Sequence, residues 1–443
     1  MSGPGQFRLD LGRCTGCETC VLACRMAHRP AQSLAWRRVY TFNALGLPDL
    51  PVFHLSLACH HCRQPACLEH CPAGAYRQDP ATGALIHQPE RCLGCRYCTW
   101  VCPHDAPKFD PDRGEVAKCG FCLERQAQGL EPACVAHCPV QALGFEPRDG
   151  LTGGLPPGFP ASRMGPAIHF VPGRRPLPAL SAPPEPGLLA RCRRALLRVP
   201  EPFSARGEWA LVAFTTTLAA LVAVVATAAA RAGRVLPAPL HHPGLLLWPG
   251  ALCLALSACH LGHPGRAWRA LGNLRGSWLS REVALVLVFL GLVAAGTGLP
   301  RVPGLTWAAA AAGFAALFAV DRVYQVALRT SRLDFHSAHA LFNGLYLTGL
   351  LAACWPLALG AGALKASLYL SRKAHFRRCG HPMRPAFSLL RIFLGFVLPA
   401  LAFGGGAAAL GAILGDLLDR WEFYGELAFP SPAKQMALDL AST

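Results

Sequence analysis

Sixteen cysteines fall in four runs of four between Cys14 and Cys138, and nothing else in the 443-residue chain constrains its fold as strongly. Cys14, Cys17, Cys20 and Cys24 are spaced C-x2-C-x2-C-x3-C, and Cys92, Cys95, Cys98 and Cys102 repeat that spacing. Cys59, Cys62, Cys67 and Cys71 read C-x2-C-x4-C-x3-C; Cys119, Cys122, Cys134 and Cys138 read C-x2-C-x11-C-x3-C. Every run ends in an x3 step, and three of them (Cys71, Cys102, Cys138) end in Cys-Pro. This is the bacterial ferredoxin pattern, in which a tight turn aims three thiolates at one cluster while the fourth reaches the other cluster of a pair. Proline after the last cysteine needs no N–H and sets the new chain direction.

Other uses of cysteine fit less well. Zinc sites also use C-x2-C pairs, but two pairs suffice for a tetrahedral ion and four complete runs exceed that need. A disulfide scaffold is short and follows a secretory leader, whereas no apolar run precedes Cys14. A Rieske centre replaces two cysteines by histidine. Here each run is complete, so His28, His60, His61, His70, His104 and His137 are expected beside the clusters or at the surface.

The remaining five cysteines are scattered through a different kind of sequence. From Glu146 to about Arg206 the chain is rich in proline and glycine, which excludes long regular elements and marks a tether. Beyond it come apolar runs at 211–230, 245–261, 283–299, 304–320, 338–370 and 392–414. Most match the roughly 17 to 25 residues that a helix needs to cross a bilayer. The run at 338–370 is too long for one crossing, and Pro356 with the Gly-Ala-Gly after it suggests a break. Six to eight crossings are expected, with seven the best count.

Charge follows the same division. Fourteen arginines (among them Arg174, Arg206, Arg266, Arg281, Arg322 and Arg332) fall on the side of the cysteine domain, against three (Arg231, Arg234, Arg301) on the other. The positive-inside rule then places the cysteine domain in the cytoplasm, at the inner membrane. The net charge of +17 lies between apolar runs instead of forming a basic stripe with interleaved aromatics, so nucleic acid is not an expected partner.

The order of the runs, with its x4 step in the second and its long insertion in the fourth, resembles the four-cluster ferredoxin subunit of dimethyl sulfoxide reductase-type molybdenum enzymes. The resemblance spans roughly residues 5 to 175. It implies four 4Fe-4S clusters whose ligands are exchanged between runs: Cys14, Cys17, Cys20 with Cys138; Cys119, Cys122, Cys134 with Cys24; Cys92, Cys95, Cys98 with Cys71; Cys59, Cys62, Cys67 with Cys102. Some relatives lack one cysteine of the third run and hold three irons there, but Cys95 is present.

The C-terminal half is similar to the anchor subunit of the same reductases, through HLGHPGRAWRALGNLRGSWLSREV (His260 to Val283) and DRWEFYGEL (Asp419 to Leu427). The first motif also resembles anchors of cytoplasmic sulfite-oxidising complexes. These resemblances imply electron exchange with quinone, with His260 at the quinone site and no haem. Read from the residues alone, His260 is an imidazole at a helix end, able to give or take a proton near neutral pH. Arg266, Arg281 and Glu282 are close enough in sequence to orient it, and Asp321 ends another apolar run. A haem b needs paired histidines, for which only His260, His263, His336 and His339 are candidates.

The expected fold class is therefore an α+β ferredoxin-like domain with four 4Fe-4S clusters over residues 1–175, a Pro/Arg-rich linker over 176–206, and an all-α transmembrane helix bundle over 207–430. The expected function is non-catalytic: electron transfer and membrane anchoring beside a separate molybdopterin-containing catalytic subunit, with lipid and quinone as further partners. The competing reading is a self-contained membrane redox enzyme or pump, but no nucleotide-binding glycine loop or molybdopterin-sized domain is present to support it.

Overall fold

The computed structural model describes residues 4–29, 34–46, 50–148, 154–173, 209–232, 243–299, 304–328, 336–378, 385–402, 405–426 and 429–442. The polypeptide divides into two compact units, Met1–Pro200 with Phe429–Thr443, and Glu201–Ala428. The Pro/Arg-rich linker at 176–206, with its arginines, lies outside the described residues.

In the first unit, strand β1 (Gly5–Asp10) pairs antiparallel with β8 (Leu143–Pro147) and parallel with β9 (Ile168–Val171), in the order β8-β1-β9. Three hairpins complete the strands: β2 (Arg38–Phe42) with β3 (Phe53–Leu57), β4 (Tyr76–Gln78) with β5 (Leu85–His87), and β6 (Lys108–Asp110) with β7 (Glu115–Ala117). Between them lie α1 (Thr19–His28) and four short helices, α2 (Ala66–Glu69), α3 (Tyr97–Val101), α4 (Leu123–Ala127) and α5 (Ala133–Ala136). The apolar core joins Phe7, Leu9, Phe42, Leu55, Phe121 and Phe170 to several of the cysteines themselves. With so little regular structure, the first unit's core depends on the cysteine loops as much as on strands.

One backbone feature repeats in all four runs. The residue before the second cysteine has positive φ: Gly16 (73°), His61 (42°), Gly94 (70°) and Phe121 (62°). Glycine takes this conformation freely, whereas His61 and Phe121 adopt it at a cost that the surrounding packing must offset. At Gly16 a side chain would also collide with the His54 ring, whose Nδ1 would lie 2.6 Å from an added Cβ. The four loops thus share one turn that brings neighbouring thiols to the same side.

The C-terminal segment belongs to this first unit, which the sequence alone did not indicate. Helix α15 (Pro432–Ser442) places Met436 against Gly158, and Asp439 accepts a hydrogen bond from the Gly158 N–H at 2.5 Å. Phe429 stacks on Trp100 with ring centroids 5.4 Å apart.

The second unit is all helical: α6 (Trp209–Ala232), α7 (Pro243–Cys259), a 3₁₀ segment (Pro264–Asn273), α8 (Trp278–Gly298), α9 (Leu305–Leu328), α10 (Ala340–Leu351), α11 (Trp355–Arg378), α12 (Pro385–Ile392), a π turn (Phe393–Val397), α13 (Leu398–Leu401) and α14 (Gly405–Glu426). Among the described residues, three stretches are long and apolar enough to cross a membrane: Trp209–Ala230, Trp278–Thr297 and Leu305–Gln325. A fourth is the pair Leu246–Cys259 and Pro264–Asn273, bent by 93°. Helix α6 packs against α7, α9, α10 and α14 and is largely enclosed, whereas α8 turns much of its surface outward.

The expected break in the run at 338–370 exists, but at another place. The chain turns at Ala352–Cys354, Pro356 sits in the first turn of α11 where its missing N–H costs nothing, and Gly360 and Gly362 lie within the helix. Gly362 is there for contact, since an added Cβ would lie 3.0 Å from the Tyr346 ring.

Candidate functional site: cysteine cradles and a buried charged network

Among the described residues of the first unit no cysteine is in a disulfide, and the sixteen cysteines of the four runs gather across runs. Burial pushes the Cys14 thiol up, with Cys20, Cys138 and Cys17 as the sulfurs that add to the rise. Cys24, pushed up to about 12 by burial, has Cys134 and Cys122 beside it as well as Cys20. Cys62 and Cys67 rise on burial next to Cys59 and Cys102. Cys95, at about 12, and Cys98 rise on burial next to Cys71 and Cys92. Only Cys17 is exposed and lowered, by hydrogen bonds from Thr19.

Sulfurs of different runs thus lie near one another: Cys138 by Cys14, Cys134 by Cys24, Cys102 by Cys62 and Cys67, and Cys71 by Cys95 and Cys98. This crossing follows from the packing of α1 against α5, which carries Cys24 to Cys134, and of α2 against α3. One cavity is lined by Cys14, Cys17, Cys20 and Cys138, another by Cys59, Cys62, Cys67 and Cys102. Among the described residues, no group of three or more His, Cys, Asp or Glu is spaced to hold a single metal ion. Four thiols around a cavity suit a multi-iron cluster.

The histidines fit the same account. His60 and His104 are buried, line the second cavity, and have no hydrogen-bond partner on either ring nitrogen. Buried imidazoles left without partners are costly, and sulfides or thiolates of a cluster in that cavity would accept from them. His28 Nε2 lies 3.0 Å from Cys122 Sγ. His70 and His137 instead reach back to the carbonyls of Ala66 and Ala133, four residues earlier, and His61 stacks on Phe121.

In the second unit the four residues expected around the quinone lie along one bend and the helix that follows it. His260 lies half-buried in the bend between α7 and the 3₁₀ segment, and Arg266 is in that segment. Arg281 turns back to the loop, donating from Nε to the Leu274 carbonyl at 2.8 Å and lying over the Trp278 ring at 4.4 Å. Glu282, its neighbour, points inward and is buried within electrostatic reach of Arg420 and Asp321. Asp321 accepts from the N–H groups of Ala340 and Leu341 at 2.7 and 3.0 Å, capping α10, and pairs with Arg420 at 3.6 Å.

These groups open onto a network that the sequence did not show. Asp419 binds Arg391 at 2.7 Å and Arg372 at 3.2 Å, and accepts from Ser337 at 3.0 Å. Arg372 also meets His336 Nδ1 at 3.0 Å, while Lys365 bridges Asn343 and Asp416. Glu422 takes Lys373 and the Tyr369 hydroxyl, each at 2.9 Å. His336 and His339, considered above as haem candidates, are thus engaged with Arg372 and, at 4.0 Å, with Asp321.

Cysteine cradles of this spacing, joined to a helical unit with membrane-crossing stretches, define a membrane-associated iron-sulfur electron-transfer protein. Comparison with known proteins narrows this class. Residues 50–148 match the family model of the 4Fe-4S dicluster domain, and residues 208–366 match that of the DMSO reductase anchor subunit (DmsC). A chain of the anaerobic dimethyl sulfoxide reductase of Escherichia coli is 38% identical over 155 residues, 33% of this protein and 74% of that one. The corresponding Haemophilus influenzae protein is 38% identical over 154 residues, covering 33% and 75%. A sulfite dehydrogenase subunit of Allochromatium vinosum is 30% identical over 158 residues, covering 31% and 66%. The protein belongs to the family of these anaerobic dimethyl sulfoxide reductase chains, here continued into an anchor-type helical domain.

Proposed function

We propose that this chain is the electron-transfer and membrane-anchor subunit of a molybdopterin oxidoreductase, moving electrons between a separate catalytic subunit and quinone. The observation that carries this reading is the union, in one polypeptide, of four crossed cysteine sets with an anchor-type helical domain. The sixteen cysteines hold four 4Fe-4S clusters, which supply one-electron carriers when bound. Around them the protein excludes water and offers buried donors such as His60 and His104.

Quinone chemistry couples electrons to protons, so its site needs a titratable group at the membrane surface. His260 serves as the proton-exchanging group, with Arg266 near it in the loop. Glu282, buried and facing the charged network, is the next proton acceptor inward. Arg281 positions the loop through its bonds to the Leu274 and Arg275 carbonyls. No haem is assigned in this reading, as the resemblance to the reductase anchors implies.

The helical unit spans the inner membrane with the cluster domain on the cytoplasmic side, as the arginine distribution favours. The bent α7 pair and the shorter α10 and α12–α13 segments count as crossings in this reading. Purification of the full chain from its native membrane tests it: a molybdenum-containing partner should accompany it, and quinol should reduce its iron-sulfur signals. Substrate turnover by the isolated chain, with no molybdenum protein bound, is the result that overturns it.

A further inference from the structure

Arg37 precedes β2 and is only 2% exposed. Its Nη1 donates to the Ser56 carbonyl at 3.0 Å and to Ser56 Oγ at 3.1 Å, and its guanidinium lies over the Phe7 ring at 4.6 Å. Ser56, on β3, places the same Oγ 3.2 Å from Cys20 Sγ. Among the described residues no carboxylate forms an ion pair with Arg37, although other buried cations in this protein, such as Lys365 and Arg391, do have one. A buried charge without an opposite charge is strongly disfavoured.

The groups that Arg37 does face are cysteine sulfurs, which become anionic thiolates when they ligate a cluster. Burial alone would make its proton easier to lose, but Cys134, Cys20, Cys119 and Cys24 more than offset this and keep the guanidinium charged. Cys20 belongs to one crossed set (Cys14, Cys17, Cys20, Cys138); the other three belong to its partner set (Cys24, Cys119, Cys122, Cys134). Arg37 therefore faces both sets of this outer pair.

We propose that Arg37, acting partly through Ser56, is the buried counter-cation of the outer cluster pair and raises the reduction potentials of both of its clusters. The inference rests on the cluster reading given above. A four-thiolate cluster is an anion that gains one further negative charge when it accepts an electron, with no bond broken and no proton moved. A fixed positive charge stabilises the reduced form more than the oxidised form, and hydrogen bonds to the sulfurs act in the same direction. Among the described residues, the one sulfur within hydrogen-bond reach of Ser56 Oγ is that of Cys20, so its effect belongs to one cluster, whereas the charge of Arg37 reaches two. Lys118, buried near Cys67 and tied to the carbonyls of Leu85 and Cys119, is the nearest comparable cation of the other pair.

The test is a redox titration of the full chain in its membrane complex, followed by electron paramagnetic resonance. Cys17→Ser and Cys98→Ser first identify which signals belong to the outer and inner sets. Arg37→Met should lower the ratio of reduced to oxidised form of both outer signals at least tenfold at a fixed potential. This corresponds to a midpoint about 59 mV lower for a one-electron couple. The inner signals should move much less, and Arg37→Lys should restore most of the loss. Ser56→Ala should lower only the signal of the cluster held by Cys20. Should Arg37→Met fail to assemble, Ser56→Ala and Arg37→Lys still decide the matter, because a shift confined to one cluster in the serine variant supports the proposal. Unchanged midpoints in fully loaded variants would make Arg37 a packing residue, and equal shifts in all four signals would make it a source of general distortion. Either result overturns the proposal. Wild-type protein with far fewer than four clusters would instead sink the cluster reading itself.

Discussion

Arg391 donates from Nη2 to Asp419 Oδ2 at 2.7 Å inside the helical unit, while Arg372 holds the other oxygen of the same carboxylate at 3.2 Å. One aspartate on α14 thus ties together α11 and α12. Asp419→Leu should destabilise the helical unit by about 3 to 5 kcal/mol, because it leaves two arginines buried without their shared charge. Thermal unfolding in detergent measures this. If the single variant melts within a degree or two of wild type, water or lipid headgroups already neutralise these arginines.

A second weak point lies where α14 passes the π turn. Gly415 faces Gly395 so closely that an added Cβ would sit 2.6 Å from the Gly395 backbone nitrogen. Backbone cannot rotate aside as a side chain does, so Gly415→Ala should cost about 1 to 3 kcal/mol through overpacking. The variant should unfold at lower temperature than Gly406→Ala, since nothing lies within 4 Å of that position.

The crossed sets make an unusual forecast for single ligand changes. Intact protein should contain about sixteen irons and about sixteen acid-labile sulfides per chain, from four clusters of four. Cys138→Ser should perturb the cluster that also involves Cys14, Cys17 and Cys20, and leave that of Cys119, Cys122 and Cys134 intact. Stoichiometric zinc, or disturbance of the fourth run's cluster instead, contradicts the assignment.

His260 tests the link to quinone. His260→Leu should leave iron content and membrane insertion unchanged, since neither depends on that imidazole. Quinol-driven reduction of the clusters should fall by at least about tenfold, in line with the lower end of what a positioned acid-base group contributes, while an artificial dye still reduces them. Normal quinol-linked rates would place the site elsewhere.

How much of this could be read in the sequence depends on the range of each interaction. The cysteine runs were legible because ligand spacing and the shared turn before the second cysteine are local, set within four residues by the chain itself. The apolar runs were legible for a similar reason, since burying a helix in lipid needs only consecutive apolar residues. The sequence did not place the break in the run at 338–370 correctly. Gly360 and Gly362 read as helix breakers, yet in the fold Gly362 makes room for Tyr346, so packing outweighed local propensity.

The charges show the limit most clearly. Lys365 and Asp416, like Arg391 and Asp419, lie 28 to 51 positions from their partners along the sequence. No local pattern encodes such pairs. Sequence adjacency likewise does not tell that Arg281 turns to the loop while Glu282 faces the interior. Arg37 gave no signal at all, because its meaning comes from the fold around two cysteine sets. The sequence by itself determined which residues could hold clusters and which segments could enter lipid, since both rest on short-range spacing and composition. Only the tertiary structure decided which charges meet inside the helices and how Arg37 comes to lie buried against Ser56, because those contacts require helices and loops distant in sequence to pack side by side.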